Sequence, residues 1–348
     1  MTKKAKAALA FTLALALLLL RSVGPNLATE QVRLLPVDES LQITSEPADA
    51  TLFDATAWNN RTPLVDSPEC VTTLALDCFL AHPLVSNSKK ITAHQSDNPK
   101  EALYVVDESM STDSGQTLFT SQDSVRLIRH SSFPVDQPVA SLKSESPLPG
   151  FTHDSSAQVR DGLQYSFPFA TEFRSFRYFD KFSATTTPID FQDRETIGGV
   201  TVYRFHQKLD PIELGTGTIK GLANQFYSPE EIATQGLTAG NTVVMNQYYS
   251  MTRTLWVEPK TGTIVDSLEI PHVFLARDAI EAQQVSVDSG LTLFNATLRW
   301  DEPTTKAMWE RASDGLTTLK TVSVALLFAT IASAALVVLG IYYLRRRD

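Results

Sequence analysis

The sequence predicts an α+β protein, in which a mostly antiparallel, curved β-sheet ectodomain with few helices is flanked by an N-terminal and a C-terminal transmembrane helix. Three observations carry this. Both ends of the 348-residue chain are apolar runs bordered by basic residues. The stretch between them divides into short alternating segments separated by Pro, Gly, Ser and Asn, which is how strands and turns read. Helical patterning in that stretch is confined to a short start at Pro229 and to residues 306–319.

The first element is the N-terminal run. Lys3, Lys4 and Lys6 precede an apolar stretch from Ala7 to Leu20, interrupted by Thr12 and closed by Arg21. A basic segment before an apolar one is the pattern of a secretory signal. Ser22-Val23-Gly24 offers small residues for cleavage, but Pro25 follows them, and Asn26-Leu27-Ala28 matches poorly. A retained signal anchor is favoured, with a cleaved signal peptide as the alternative. The last element is plainer. Val322 to Leu344 holds no charge, Tyr342 and Tyr343 sit where an aromatic belt lies, and Arg345, Arg346 and Arg347 follow. Only a helix satisfies its own backbone in hydrocarbon, so this stretch reads as a transmembrane helix. The expected division is a signal anchor or signal peptide over 1–24, a β-rich domain over 25–318, a transmembrane helix over 319–344 and a basic cytoplasmic tail over 345–348.

Basic residues lie on the outer side of both spans, so the positive-inside rule puts both termini in the cytoplasm and the middle outside. Charge agrees. Lys and Arg number 30 against 39 Asp and Glu, and the net −9 becomes −14 once the basic tips, +3 over residues 1–20 and +2 over 344–348, are set aside. An acidic middle excludes nucleic acid as a partner, since phosphates need a basic face. Cys70 and Cys78 lie in that middle and are expected to pair as a disulfide in an oxidising compartment.

Within the domain, residues 29–60 read as short strand pieces, 85–100 as loop, 109–124 as hairpin turns between short strands, and 136–156 as a flexible crossover. The second half is cleaner. Val200 to Phe205 alternates behind a Gly198-Gly199 turn, and Thr252 to Glu258 is a strand. Pro259-Lys260-Thr261-Gly262 then turns the chain into a partner strand, Thr263 to Leu268. Ser228 with Pro229 at the first position starts a short helix. Val285 to Leu298 gives further strand, and Lys306 to Leu319 is helical and leads into the span.

Chemistry is sparse. There is no nucleophile elbow, phosphate loop, dinucleotide fingerprint, zinc motif or paired-cysteine redox motif. The six His are scattered, so no metal site, cofactor or catalytic residue is expected. His130 near Asp136 and His153 beside Asp154 read as ordinary surface or strand histidines. One segment is unusual: from Tyr165 to Phe182, 8 of 18 residues are aromatic, with Arg174, Arg177 and Lys181 interleaved, against 9 % aromatics overall. Each ring can take about 150–250 Å² from water, so these rings anchor a core or an acyl chain equally well. Three readings stay open: a packed core strand, an apolar groove with cations at its mouth, or a partner interface. The groove reading assigns Tyr165, Phe167, Phe169, Phe173, Phe176 and Tyr178 to a lipid-facing wall. It gives Arg174 and Arg177 to an anionic head, because guanidinium binds carboxylate or phosphate with two parallel hydrogen bonds.

Three blocks carry a family resemblance: Gly162 to Glu172, Gly199 to Phe205, and Tyr248 to Gly262. Their order and spacing, together with the two terminal spans, resemble the actinobacterial porin PorA family domain of unknown function over most of the chain. The resemblance implies a non-enzymatic envelope membrane protein, linked to maturation of lipomannan and lipoarabinomannan. The partners implied are membrane lipid or lipoglycan and envelope mannosyltransferases. An envelope protein without ligand, or a porin, is the alternative. Leu255-Trp256-Val257-Glu258-Pro259, its turn and the return strand are also similar to lipoprotein-carrier half-barrels, which wrap a curved sheet around acyl chains.

Overall fold

In the computed structural model, which describes residues 2–148 and 150–345, helix α1 covers Lys3–Arg33 and crosses the whole apolar run. Strands β1 (Glu39–Thr44) and β2 (Ala48–Phe53) follow, then helices α2 (Ala55–Asn60) and α3 (Pro68–Thr73), a 3-10 turn over Leu76–Phe79, and β3 (Leu80–Ala81). A meander comes next: β4 (Leu84–Gln95), β5 (Glu101–Thr112), β6 (Thr117–Ile128), β7 (Ala140–Glu145) and β8 (His153–Gln158). Three further strands are β9 (Phe176–Asp180), β10 (Thr185–Ile197) and β11 (Val200–Leu222), followed by α4 (Ala223–Phe226) and α5 (Pro229–Thr234). The chain closes with β12 (Thr242–Glu258), β13 (Thr263–Ala276), α6 (Ala279–Ala282), β14 (Thr292–Ala296), β15 (Leu298–Arg299) and α7 (Glu302–Arg345).

Among the described residues the 15 strands form one open sheet with twelve of them in the order β8-β7-β6-β5-β4-β2-β14-β13-β12-β11-β10-β9. Its ladders are antiparallel. The sheet curls so that strands distant in this order face each other. Phe119 of β6 and Phe182 beyond β9 meet at 4.8 Å between ring centroids, and Phe151 touches Phe182 at 5.0 Å and Tyr249 of β12 at 5.2 Å. These rings fill the interior.

Charges are buried beside them. Arg253 reaches Glu269 at 2.9 Å, Asp180 at 3.1 Å and the side-chain oxygen of Gln207. Tyr249 donates its hydroxyl to Asp180 at 3.2 Å. Glu108 of β5 pairs with Lys181 and with Lys89 of β4. Burial by itself would raise the Glu269 carboxyl, but Arg253, helped by Lys89 and Lys181, outweighs it and holds the group down to about 2. Glu108 likewise stays below the ordinary carboxylate range: burial opposes this, and Lys181 and Lys89 prevail.

This interior corrects the reading of the first half. Residues 85–100 are not loop; β4 takes most of them, and a turn is left at 96–100. The polar run Asn87-Ser88-Lys89-Lys90 misleads because Lys89 points to the buried Glu108 while Lys90 faces water, so both faces of the strand carry polar atoms. Residues 109–124 lie mostly in two long strands, β5 and β6, and 136–156 contain β7 and the start of β8, rather than a flexible crossover. Pro149, and Arg346 and Arg347 of the basic tail, lie outside the described residues. In the second half Ser228 caps α5, and β12 and β13 join through the expected turn, but the strand expected from Val285 begins only at Thr292, after a turn over 285–291.

Helices α1 and α7 are both long and apolar enough to cross a membrane, and they pack on each other. Ala7, Ala10 and Ala14 are buried on α1, and Ser333 of α7 donates its hydroxyl to the Ala14 carbonyl at 3.1 Å. At Gly340 a Cβ would lie 2.8 Å from the Phe11 ring. Small residues permit this close approach, which is how helices pair where the surroundings are apolar. Leu13, Leu19, Phe328, Ile331 and Val338 are exposed on the opposite faces. The first half of α7 packs on the sheet through Ala312, which meets Val202 and Val265.

Candidate functional site

The interior is not filled everywhere. Where α1 ends and α7 leaves the sheet, a cavity of about 350 Å³ remains. Its walls come from four places. The end of α1 and the segment after it supply Arg33 and Leu35; β1, β4 and β5 supply Leu41, Ile91 and Tyr104; residues 165–169 supply Tyr165, Phe167 and Phe169; and α7 supplies Met308, Arg311 and Thr318.

The aromatic segment is held there by backbone contacts, not by a ladder. Residues 164–175 form no strand, contrary to the alternation that suggests one. Instead Phe167 N–H donates to Gly262 O at 2.9 Å, Ser166 donates to the same carbonyl at 3.2 Å, and Ser132 donates to Phe167 O at 3.1 Å. Gly262 has φ +76°, and a Cβ there would lie 2.2 Å from Phe167 O, so this turn admits only glycine. The alternation still has its effect, because Tyr165, Phe167 and Phe169 all line the cavity.

Tyr165 stacks on Tyr104 with centroids 6.0 Å apart and donates its hydroxyl to Asp123. Asp123 is itself held by Arg160 at 2.9 Å and Gln164 at 3.0 Å. Burial, reinforced by the Asp123 carboxylate, pushes the Tyr165 phenol well above its ordinary range, so it remains a neutral donor. Burial does the same to Tyr104. Phe169 lies beneath Arg33, whose guanidinium carbon is 5.5 Å from the ring centroid. Arg311 pairs with Glu39, and Asp314 also borders the space. The site is therefore amphipathic, with aromatic and aliphatic walls, the guanidinium groups of Arg33 at the end of α1 and Arg311 within α7, and the carboxylates of Glu39 and Asp314 beside them.

Of the six aromatic residues expected to form a lipid-facing wall, three border this cavity. Phe176 and Tyr178 are buried in the neighbouring core with Phe205 and Leu255, and Phe173 is 61 % exposed. Arg174 and Arg177 lie elsewhere on the surface, paired with Glu172 at 2.7 Å and with Asp161. The cations that face the cavity are Arg33 and Arg311, which the sequence did not single out. Arg33 closes the helix that begins in the first apolar run, which is a positional signal; Arg311, within α7 and ahead of its apolar part, carries none. Cys70 and Cys78 are bonded in a disulfide. His130 pairs with exposed Glu30 at 3.1 Å, and His153 Nε2 lies 2.8 Å from the Phe182 carbonyl. Neither meets a nucleophile, and among the described residues no group of His, Cys, Asp and Glu is arranged to hold a metal ion.

The profile of the family described as Porin PorA matches residues 6–342, from inside the first apolar helix to near the end of the second. The chain belongs to the Porin PorA family. A relative named Porin PorA from Corynebacterium resistens is 26 % identical over 386 aligned positions, covering 92 % of this chain and 91 % of the relative. Another with the same name, from Corynebacterium amycolatum, is also 26 % identical and covers 86 % of this chain and 87 % of its own length. Family membership and the two apolar helices point to an envelope membrane protein, and both relatives bear the name Porin PorA. The match spans α1, the sheet and α7 together.

Proposed function

We propose that this PorA-family chain is a non-enzymatic envelope protein, anchored by α1 and α7 with both termini cytoplasmic, that takes an anionic amphiphile into the junction cavity. The observation that carries this reading is the pairing of empty aromatic volume with Arg33 and Arg311 where two apolar helices enter the sheet. An acyl chain suits the walls and a phosphate or carboxylate suits the guanidinium groups. A membrane lipid or lipoglycan has that chemistry, and the protein would present it to envelope mannosyltransferases during lipomannan and lipoarabinomannan maturation. The test is lipid mass spectrometry on full-length protein purified from membranes. A retained anionic lipid that is lost in Arg33→Ala/Arg311→Ala supports the reading; lipid-free protein overturns it.

A second reading, a porin, has its own support in the names of both relatives. Those names favour it over the lipoglycan reading, of which they say nothing. Its physical form is constrained. Lys90, Asp107, Gln122 and Lys143 stand in one row across β4 to β7 on the exposed face. A lipid-facing barrel needs an apolar band there and a polar lumen, the reverse of this arrangement. Conduction would therefore have to come from helices α1 and α7 of several copies. Stepwise conductance in planar bilayers, changed by Ser333→Leu in the helix interface, would establish it; a silent bilayer would remove it.

A further inference from the structure

A second cavity, of about 400 Å³, lies at the other pole of the sheet. The length of β12 separates the two: Gln247 near its start lines this cavity, and Thr263 just past its turn lines the other. About ten residues of strand at ~3.3 Å each put them roughly 30 Å apart. The distal cavity is thus the face turned away from the two apolar helices.

Its chemistry differs from that of the junction. The floor is apolar, with Leu148 and Leu293, and one wall is the indole of Trp58. Around them stand Asn59, Gln247, Thr218 and Lys220, with no carboxylate in the lining. Trp58 is held by three rings, Phe79 at 5.1 Å, Phe226 at 5.8 Å and Phe53, which also lines the cavity, at 5.9 Å. The Cys70–Cys78 disulfide packs into the same small core as Trp58 and Phe79. Among the described residues Asn59 makes no side-chain hydrogen bond, and Gln247 makes one, its Oε1 accepting from Thr216 at 3.0 Å. The donors and acceptors facing the cavity are therefore neutral amides and a hydroxyl, with one ammonium group.

A rigid indole beside unspent amides recognises a sugar ring: the C–H face stacks on the aromatic, and the hydroxyls bond the amides. The volume is that of a small-ligand cleft, about 300–1,000 Å³. No charged partner is required of the ligand: the amides and the Thr218 hydroxyl bond neutral hydroxyls, and the Lys220 ammonium can donate to one as well. We propose that the distal cavity binds a short neutral saccharide, with a hexose ring on Trp58 and its hydroxyls held by Asn59, Gln247 and Lys220. This site is independent of the junction cavity.

The experiment uses the full chain in lipid nanodiscs, free of sugar detergents that would compete. Mannotriose, maltotriose and chitotriose are titrated by calorimetry and tryptophan fluorescence. At least one is expected to bind with a Kd on the order of 1 mM or tighter, and Asn59→Ala/Gln247→Ala is expected to weaken it about tenfold without moving Tm. Phe169→Ala, in the other cavity, should leave it unchanged. No response to any of the three at about 50 mM, binding indifferent to the double variant, or binding abolished by Phe169→Ala would each overturn the proposal.

Discussion

The filled middle of the sheet and the junction cavity are built from the same kinds of residue, yet they are packed differently. In the middle, Phe119, Phe151, Phe182 and Tyr249 pack on one another, and Arg253 is shared among Asp180, Glu269 and Gln207. Polar groups and ring faces are matched there. At the junction Tyr165 leans on Tyr104 and Phe167 on Phe205 at 4.6 Å, while Phe169 has Arg33 above it and empty volume beside it. Aromatic density therefore does not mark a binding site in this protein. What sets the junction apart is unfilled space next to rings, bordered by guanidinium groups, and that is where the proposed ligand would sit.

Four measurements break or sharpen that contrast. The largest effect is expected in the filled middle. Arg253→Ala leaves Asp180 and Glu269 without their cation, and removing one partner of a buried ion pair costs about 3–5 kcal/mol. Urea unfolding of the full-length protein reads it, and a loss below about 1 kcal/mol would show the network to be dispensable.

Next is a pH dependence from His272, 3 % exposed, bonded to Thr292 at 2.9 Å and stacked on Phe274. Burial lowers it to about 4. The unfolded chain takes up this proton near pH 6.5 and the folded one only near 4, so stability is full above 6.5 and falls as the pH drops to 4. The loss is about 3 kcal/mol at most. Glu269 and Glu108, held low, begin to lose their contributions as the pH falls through the ordinary carboxylate value of 4.5, so above that pH the slope belongs to His272. In His272→Gln the slope between pH 6.5 and 4 should flatten; an unchanged slope assigns it to other groups.

Reducing the disulfide comes third. A loop this short is worth about 2–3 kcal/mol by chain entropy. Cys70→Ser/Cys78→Ser should lower the melting temperature accordingly and weaken saccharide binding through Trp58, while lipid retention at the junction persists. Equal loss at both cavities would mean that they are coupled. The smallest stability effect belongs to Phe169→Ala. A half-buried ring beside empty space should cost no more than about 1 kcal/mol, yet retained lipid should fall. Phe167→Ala, fully buried, should instead cost about 3–5 kcal/mol. If the two variants unfold alike, the junction is core like the rest.

Where local pattern and tertiary demand agree, the structure was legible. The hairpin of β12 and β13 reads directly because Leu255, Val257 and Ile264 beside its turn are apolar and buried, and the turn has Pro early and Gly late. Strand β4 does not read, since its inward Lys89 serves an ion pair with Glu108 that is visible only once the sheet has formed. The site was half legible. Tyr165, Phe167 and Phe169 stood out as rings at period two, but Arg174 and Arg177 face water, and the cations at the cavity are Arg33 and Arg311, far away in sequence.

The amino-acid order alone determined two apolar helices, an acidic sheet-rich middle, the paired cysteines and a dense aromatic stretch, because these follow from composition and short-range spacing. Which rings border a void, and which charges meet it, was decided when α1, residues 165–169 and α7 came together. Volume arises from packing between distant segments, and no single segment encodes it.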